Sequence, residues 1–207
     1  MHGLRRSLLP ILAAAIAAWP PAPARADDAH DEQCGHHAGS APERYTRSTQ
    51  RSALPAVTLL DQDGRAVPLD RALAGDAPLA VNFIFTTCTT ICPVMSATFA
   101  DLRRRLAADG RGVRLVSISI DPAHDRPGRL KEYGRRFGAD ERWSFYTGSE
   151  ADVAQVLTAL RALEGDKTNH RPVTLLRRAG GEEWVRIEGL AGAEDLAREL
   201  RALLAGR

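Results

Sequence analysis

A nearly continuous apolar run at positions 79–85, followed at once by two cysteines and a proline, constrains the fold of this chain more than any other segment. Its seven residues include one polar side chain, that of Asn82, which is typical of a strand buried on both faces of a sheet. Apolar residues then recur at steps of four, three and four, and this spacing predicts one face of a helix with Pro93 in its first turn. They are Met95, Phe99, Leu102 and Leu106. Cys88 and Cys92 are therefore predicted to lie where a central strand gives way to a helix.

Strands and helices alternate along the rest of the chain. The turn-rich tetrad Asp61-Gln62-Asp63-Gly64 lies between short apolar runs and predicts a hairpin in front of the central strand. Further strands are predicted over 113–120, 143–146, 173–176 and 184–187, the last two as a hairpin, and further helices around Leu130, Val153 and Leu196. Ser149, with Asp152 three residues later, predicts a capping box for the second of these helices. The order predicts an α/β fold, a three-layer sandwich around a mixed central sheet with an N-terminal β-hairpin.

The first 26 residues have the three parts of a secretory signal peptide. Arg5 and Arg6 precede an apolar stretch at 8–19, and Ala24-Arg25-Ala26 fits the small-x-small cleavage pattern. An uncleaved membrane anchor is the alternative, but it needs about 20 apolar residues to cross a bilayer. We therefore expect cleavage, a periplasmic location and no stable membrane span afterwards. Residues 27–53 are polar and predict a flexible, histidine-containing tail, which leaves 54–207 as one folded domain.

The charge balance excludes one class of partner. The formal net charge of the whole chain is +2, but the first 26 residues contain three arginines and no acidic residue, so removing them leaves a net charge of −1. The sequence has no basic stripe with interleaved aromatic side chains. Nucleic acid is therefore not an expected partner.

Two thiols, four residues apart, form the candidate site. Open α/β sheets bind ligands at the carboxyl ends of their strands, and the start of a helix favours thiolate over thiol. Cys88 and Cys92 are therefore suited both to nucleophilic attack and to metal binding. The alternatives are an inert disulfide and burial as small apolar side chains. The surrounding threonines and the position at the rim favour a functional pair over both.

Two segments and one histidine carry a resemblance to a known family. The first segment is Phe83-Ile84-Phe85-Thr86-Thr87-Cys88-Thr89-Thr90-Ile91-Cys92-Pro93. The second is Ser117-Ile118-Ser119-Ile120-Asp121-Pro122-Ala123-His124-Asp125-Arg126-Pro127, with an aspartate-proline pair at a strand end and another aspartate four residues after the first. The histidine is His170, just before a late strand. Together they resemble the Sco/SenC family of copper chaperones, from about Leu54 to the C-terminus.

This resemblance implies a thioredoxin-like fold in which Cys88, Cys92 and His170 bind one copper ion. Two thiolates suit Cu(I), and an added imidazole allows the same site to hold Cu(II). The implied role is delivery of copper to the binuclear copper centre of cytochrome c oxidase. We expect the protein to be a monomer. Its expected partners are the oxidase subunit that carries this centre and other periplasmic copper chaperones. The alternative is an enzyme, a thiol–disulfide oxidoreductase that reduces the copper-ligand cysteines of the oxidase subunit.

Three positions near these ligands have two interpretations each. Asp121 and Asp125 either hold the copper ligands in position without binding copper themselves, or have structural roles only. In the second case Asp121 ends a strand and Asp125 helps to start the next helix. Pro172 stands where thioredoxins place a cis-proline beside the reactive disulfide, which would favour thiol exchange, or it is an edge-strand proline. His124 is expected to be exposed rather than a ligand.

The tail carries a second set of metal-binding side chains. Within eight residues it contains His30, Cys34, His36 and His37. Such a tract can capture Cu(II) or Zn(II), and we hypothesise an auxiliary metal-collecting arm. A polar tail that is merely rich in histidine is the alternative.

Overall fold

The computed structural model describes residues 45–162 and 171–206. The compact unit that contains them spans Ser40–Arg207. The predicted signal peptide, the predicted metal-binding side chains of the tail and His170 lie outside the described residues. In the part of the chain that is described, no helix is both long enough and apolar enough to cross a membrane.

Strands and helices follow the alternation that the sequence predicts. The described residues form strands β1 Tyr45–Arg51, β2 Thr58–Asp61, β3 Ala66–Pro68, β4 Leu79–Ile84, β5 Arg114–Ser119, β6 Trp143–Thr147, β7 Val173–Arg177 and β8 Glu183–Gly189. They form helices α1 Leu69–Leu73, α2 Ile91–Ala108, α3 Pro127–Arg136, α4 Glu150–Ala159 and α5 Ala193–Ala205. The predicted strands and helices are confirmed to within a few residues at each end.

The eight described strands form one mixed sheet in the order β1-β8-β7-β4-β5-β6-β2-β3. β4 pairs in parallel with β5 and antiparallel with β7, so it lies at the centre. β5 and β6 are also parallel. The loops that follow β4 and β5 therefore leave the sheet at the same edge, and this edge holds the candidate site.

Both faces of the sheet are covered by helices, and β4 shows how. Ala80 and Ile84 belong to an apolar core shared with α2, α3 and α5. Val81 and Phe83 belong to the opposite core, shared with α1 and α4. All six residues of β4 are buried, because alternate side chains enter two different cores. The prediction of a three-layer sandwich is confirmed.

Local signals in the sequence also correspond to local structure. β2 and β3 form the predicted hairpin, in whose turn Asp61 Oδ1 accepts hydrogen bonds from the backbone N–H groups of Asp63 and Arg65, both at 2.9 Å. Gly64 closes this turn with a φ of 82°, a conformation that glycine adopts without steric cost. At α4, Ser149 Oγ accepts from the Asp152 N–H at 3.0 Å, as the predicted cap requires.

The sequence-based boundary between tail and domain at residue 53 is wrong. Residues 45–51 form β1, an edge strand that pairs with β8 along its whole length. Five of its seven side chains are exposed, so the strand carries no alternation of apolar and polar residues. Its pairing uses backbone groups, which the side-chain pattern does not reveal. The hairpin is consequently the second element of the fold, and the short helix α1 after it was not predicted.

A glycine in α3 provides a test of how this helix packs. A Cβ at Gly134 would stand 2.7 Å from Cε2 of Phe145 on β6. We therefore expect Gly134→Ala to lower the free energy of unfolding by about 1–3 kcal/mol, as overpacking usually does. Gly128→Ala is the matched control, because a Cβ there meets nothing within 4 Å, and helix propensity should raise the stability by up to about 1 kcal/mol. Urea denaturation measures both variants, and equal stabilities would contradict the expectation.

Candidate functional site

The two cysteines meet at the start of α2. Cys88 lies in the loop after β4, where its backbone N–H donates to the carbonyl of Phe85 at 3.2 Å. Cys92 is the second residue of α2, and its N–H donates to Cys88 Sγ at 3.4 Å. Both are free thiols. Cys88 is 9% exposed and Cys92 is fully buried, so a reagent or partner at the surface meets Cys88 first.

The surroundings separate the acidities of the two thiols. Burial raises the pKa of Cys88, but hydrogen bonds from Cys92 and Thr90 to its sulfur outweigh burial and hold this pKa below the usual value. Burial raises the pKa of Cys92 to about 12, and the negative charges of Cys88 and Asp125 add to the rise. Cys88 is therefore the thiol that ionises first.

A buried carboxylate fastens the cysteine loop to the neighbouring strand. Asp125 has no exposed surface, and its oxygens accept the Thr86 N–H at 3.0 and 3.2 Å and the Thr86 hydroxyl at 2.5 Å. The Ser119 hydroxyl donates to the same carboxylate at 2.6 Å. Thr86 follows β4 and Ser119 ends β5, so Asp125 bridges the two central strands at the site. Its side chain therefore points to the cysteine loop, and α3 begins after Arg126 without a side-chain cap.

Asp121 organises the loop that carries Asp125. The backbone carbonyl of Asp121 accepts the N–H groups of His124 and Asp125, at 3.1 and 2.9 Å. Its carboxylate lies 3.0 Å from Nδ1 of His124, whose side chain is 57% exposed. The structure thus places His124 at the surface beside Asp121, as expected, and Asp121 at the strand end where the loop turns.

Tyr133 is a neighbour of the two thiols. The sequence pattern places this residue only on the face of a helix. Its hydroxyl lies 2.8 Å from Ser96 Oγ, and this pair is buried between α3 and α2. Burial raises the pKa of Tyr133 to about 12, and negative charge at Cys92 and Cys88 adds to the rise. The phenol therefore stays protonated and brings a buried polar group close to the cysteines. Helical spacing indicated that Tyr133 is buried but not what it faces.

The start of β7 lies at the same edge of the sheet as the cysteine loop. β7 is antiparallel to β4, with Asn82 opposite Thr174, so the register brings Pro172 level with the end of β4. The Pro172 carbonyl accepts the Gly189 N–H from the end of β8 at 2.9 Å. The described chain resumes at Arg171, and His170 immediately precedes it.

Exposed apolar side chains flank the site. Val94, two residues after Cys92, is 51% exposed, and Leu190, just after β8, is 42% exposed. Within residues 45–162 and 171–206, no three or more histidine, cysteine or acidic side chains are grouped so as to hold a metal ion. The described part of the site thus supplies two thiols, those of Cys88 and Cys92.

Known proteins are similar to this chain in sequence and in fold. A SCO1 protein homolog of Bacillus subtilis is 40% identical over 100 residues, which cover 47% of this chain and 51% of that protein. The chain thus spans about half the length of the curated relatives it matches.

Two solved structures have the same fold. The first is BsSco, a member of the Sco family of cytochrome c oxidase assembly proteins in which a disulfide switch was identified. It has a TM-score of 0.63 at 25% identity, and the match covers 77% of this chain and 98% of the BsSco chain. Copper-bound ScoI of Bradyrhizobium japonicum has a TM-score of 0.57 at 25% identity, with 73% and 99% covered. The expectation of a thioredoxin-like fold is confirmed.

The family comparison reaches over nearly the whole described domain. The model of the SCO1/SenC family matches residues 46–205, more than three quarters of the chain. This span starts within β1, contains the cysteine loop and the loop of Asp125, and ends at the last residue of α5. The chain therefore belongs to the SCO1/SenC family.

Proposed function

We propose that this protein binds copper through Cys88, Cys92 and His170 and delivers it to the binuclear copper centre of cytochrome c oxidase. The observation that carries the proposal is the pairing of two reduced thiols at one sheet edge, with the start of β7 at the same edge. Membership in the SCO1/SenC family and the likeness to copper-bound ScoI support the choice of metal. Copper is the cargo of such a protein and not a permanent part of it.

The donor set suits copper in both oxidation states. Two thiolates satisfy Cu(I), and one imidazole in addition allows the same site to hold Cu(II). Cys88 loses its proton more readily than an ordinary thiol because its pKa is lowered. Cys92 gives up its proton when the metal binds, since a bound cation replaces the proton on sulfur. Binding is therefore expected to release protons and to strengthen as the pH rises.

The strand register supports His170 as the third ligand. Position 172 lies level with Ile84 at the end of β4, and Cys88 follows Ile84 by four residues. His170 precedes Pro172 by two residues, and this short separation along the chain supports its assignment as the third ligand.

The exposed rim supports transfer to a protein partner. Copper passes by ligand exchange, so the sulfurs of an acceptor subunit have to approach Cys88, which is 9% exposed. Val94 and Leu190 border the approach and offer apolar contact to the acceptor. We infer that a monomer acts after export to the periplasm and removal of residues 1–26, and that other periplasmic copper chaperones supply its copper.

Copper titration tests the ligand set. In a background in which the four metal-binding side chains of the tail are replaced by alanine or serine, we expect one tight equivalent of Cu(I) per chain. Cys88→Ala and Cys92→Ala should weaken it by more than the roughly 10–100-fold that loss of an outer-sphere partner costs. His170→Ala should weaken Cu(II) more than Cu(I). His124→Ala is the matched control, because this histidine is exposed and bound to Asp121.

The result for His170 decides whether its imidazole is a copper ligand. Cu(I) and Cu(II) affinities that are the same in His170→Ala and in His124→Ala would reject the proposed third ligand. Tight copper binding lost in both cysteine variants and kept in His124→Ala would support transfer.

Asp125 provides a second test, directed at the support of the loop. Asp125→Asn keeps the shape of the side chain but places an amide N–H₂ group, itself a donor, opposite the hydrogen-bond donors of Thr86 and Ser119. The free energy of unfolding should therefore fall by about 1–3 kcal/mol. The Cu(I) affinity should fall about 10–100-fold, as for other outer-sphere partners. Asp140→Asn is the control, because Asp140 is exposed and paired with Arg103. Competition titration measures the affinity, and urea denaturation measures the stability. If Asp125→Asn matched Asp140→Asn in both measurements, Asp125 would not be needed to support the site.

The unequal thiols favour thiol–disulfide exchange as the second candidate function. The more accessible thiol, with the lower pKa, attacks a disulfide, and the buried thiol, with the higher pKa, resolves the mixed disulfide once the first has reacted. Cys88 and Cys92 fit these two roles in that order. The expected substrate is the oxidised pair of copper-ligand cysteines in the oxidase subunit.

Alkylation of the metal-free protein against pH measures this asymmetry. Iodoacetamide should modify Cys88 first, with a half-maximal rate below the pH usual for a thiol, because the pKa of Cys88 is lowered. Cys92 should stay unmodified through pH 9 because its pKa is raised to about 12. Thr90→Val removes the hydroxyl 3.7 Å from Cys88 Sγ and should move the profile to higher pH, whereas Thr98→Val on α2 should not. Equal reaction of both thiols at pH 8 would contradict the assignment.

A further inference from the structure

Two segments of the chain next to Cys88 carry no charged side chain. Residues 77–100, which contain β4, the cysteine loop and the first part of α2, include no aspartate, glutamate, lysine, arginine or histidine. Residues 189–193, from the end of β8 to the start of α5, include none either. Charged residues make up 26% of the whole chain, so a surface built from these two segments differs from the rest of the protein.

The two segments form one continuous surface beside the thiol. A shallow recess joins them, lined by residues of α2 on one side and by Leu190 and Ala191 on the other. α2 and α5 pack into the same core, so both segments lie on one face of the sheet. We call the exposed parts of residues 86–98 and 189–193 the uncharged face, and Cys88 lies within it.

Exposed apolar side chains are concentrated on the uncharged face. In the described residues, three large apolar side chains are well exposed, namely Val94 at 51%, Leu190 at 42% and Leu60 at 37%. Val94 and Leu190 lie on the uncharged face, whereas Leu60 lies on β2, three strands away from β4. The loop around the thiol adds the exposed threonines Thr87, Thr89 and Thr90. The face therefore offers methyl groups and hydroxyls to whatever covers it.

Charged side chains border the uncharged face, most of them in ion pairs. Glu194, just after the second segment, pairs with Arg105 of α2 at 3.0 Å, and Glu188, just before it, pairs with Arg186 at 2.6 Å. Arg171, before β7, is the exception, since it is exposed and has no ion pair with any described residue. An uncharged centre inside a polar border is the usual anatomy of a protein–protein interface.

We propose that the uncharged face is the docking surface for the protein that reacts with Cys88, and that this partner presents an uncharged, apolar face around its own cysteines. This rests on the proposed function in one respect, that Cys88 exchanges copper or a disulfide with a protein. Cys88 is 9% exposed, so a partner sulfur that reaches it brings the surrounding surfaces into contact. A charged group of the partner would lose its water there without gaining a counter-ion, which selects against charged faces.

A second copy of the chain fits the uncharged face less well than such a partner. In a symmetric dimer the same patch meets itself. Each Cys88 would then be covered by the other copy, and no acceptor could approach it. The partner is therefore a different protein, and the chain itself stays a monomer.

Peptides with an activated disulfide test the chemistry of the partner. Three capped pentapeptides carry a central cysteine as its mixed disulfide with thionitrobenzoate, flanked by valine and leucine, by aspartate or by lysine. The Cys88 thiolate attacks the cysteine sulfur of the peptide, the bond to thionitrobenzoate breaks, and thionitrobenzoate leaves as a coloured thiolate. Each rate is divided by the rate of the same peptide with N-acetylcysteine amide. The apolar peptide should react about fivefold faster than the charged ones, and equally fast at about 0.05 and 0.5 M sodium chloride.

Glutamine substitutions test the face itself. Val94→Gln and Leu190→Gln add no charge near the thiol, and each should slow the apolar peptide about fivefold. The rate with dithiodipyridine, a small uncharged disulfide, should stay the same. Leu60→Gln is the matched control, because Leu60 is also exposed but lies on β2. Equal rates with the apolar peptide in all three variants would overturn the proposal.

Two further results separate the occupants and the functions. Sedimentation should show a monomer, and a dimer that is lost in Val94→Gln would assign the face to a second copy and overturn the proposal. Copper titration reports on the proposed function independently. A chain that binds copper but shows no preference among the peptides would keep the proposed function and lose this docking surface.

Discussion

The bridge that Asp125 makes between the ends of β4 and β5 is the contact on which the site depends. Its carboxylate is fully buried and gathers donors from Thr86 and Ser119, so the backbone that leads to Cys88 leaves the sheet in one fixed direction. A buried carboxylate is costly unless it is hydrogen-bonded, and here both oxygens are. The same charge raises the pKa of Cys92. One side chain thus serves both the geometry and the electrostatics of the thiols.

Metal binding and thiol exchange draw on the same asymmetry of the two sulfurs. Cys88, the more accessible of the two and the more easily ionised, is the group that a metal ion or a disulfide meets first. Cys92, inside the helix start, responds second in either case. A copper site for both oxidation states would need a third ligand, which thiol exchange does not use. The two thiols by themselves therefore make both kinds of chemistry available.

Several parts of this fold could be predicted because buried elements have a characteristic pattern of apolar residues. In β4 this pattern is a continuous apolar run, because its side chains enter two cores, and in α2 it is an apolar stripe, because one face of the helix is buried. β1 has no such pattern, because its pairing is made by backbone groups and most of its side chains are exposed. The contact of Asp125 with Thr86 joins residues 39 positions apart, and the closeness of Tyr133 to the thiols depends on how α3 packs against α2. Such long-range placements follow from tertiary packing and not from local spacing.

The two outer strands of the sheet also bear on how copies of the protein meet. β3 has three residues and ends in Pro68, which lacks a backbone N–H, and β1 exposes the cationic side chains of Arg47 and Arg51. Short length, proline and charge are the features by which natural sheets prevent another chain from adding to an open edge. The sheet is thereby protected from extension by another chain, and from aggregation, at both of its margins.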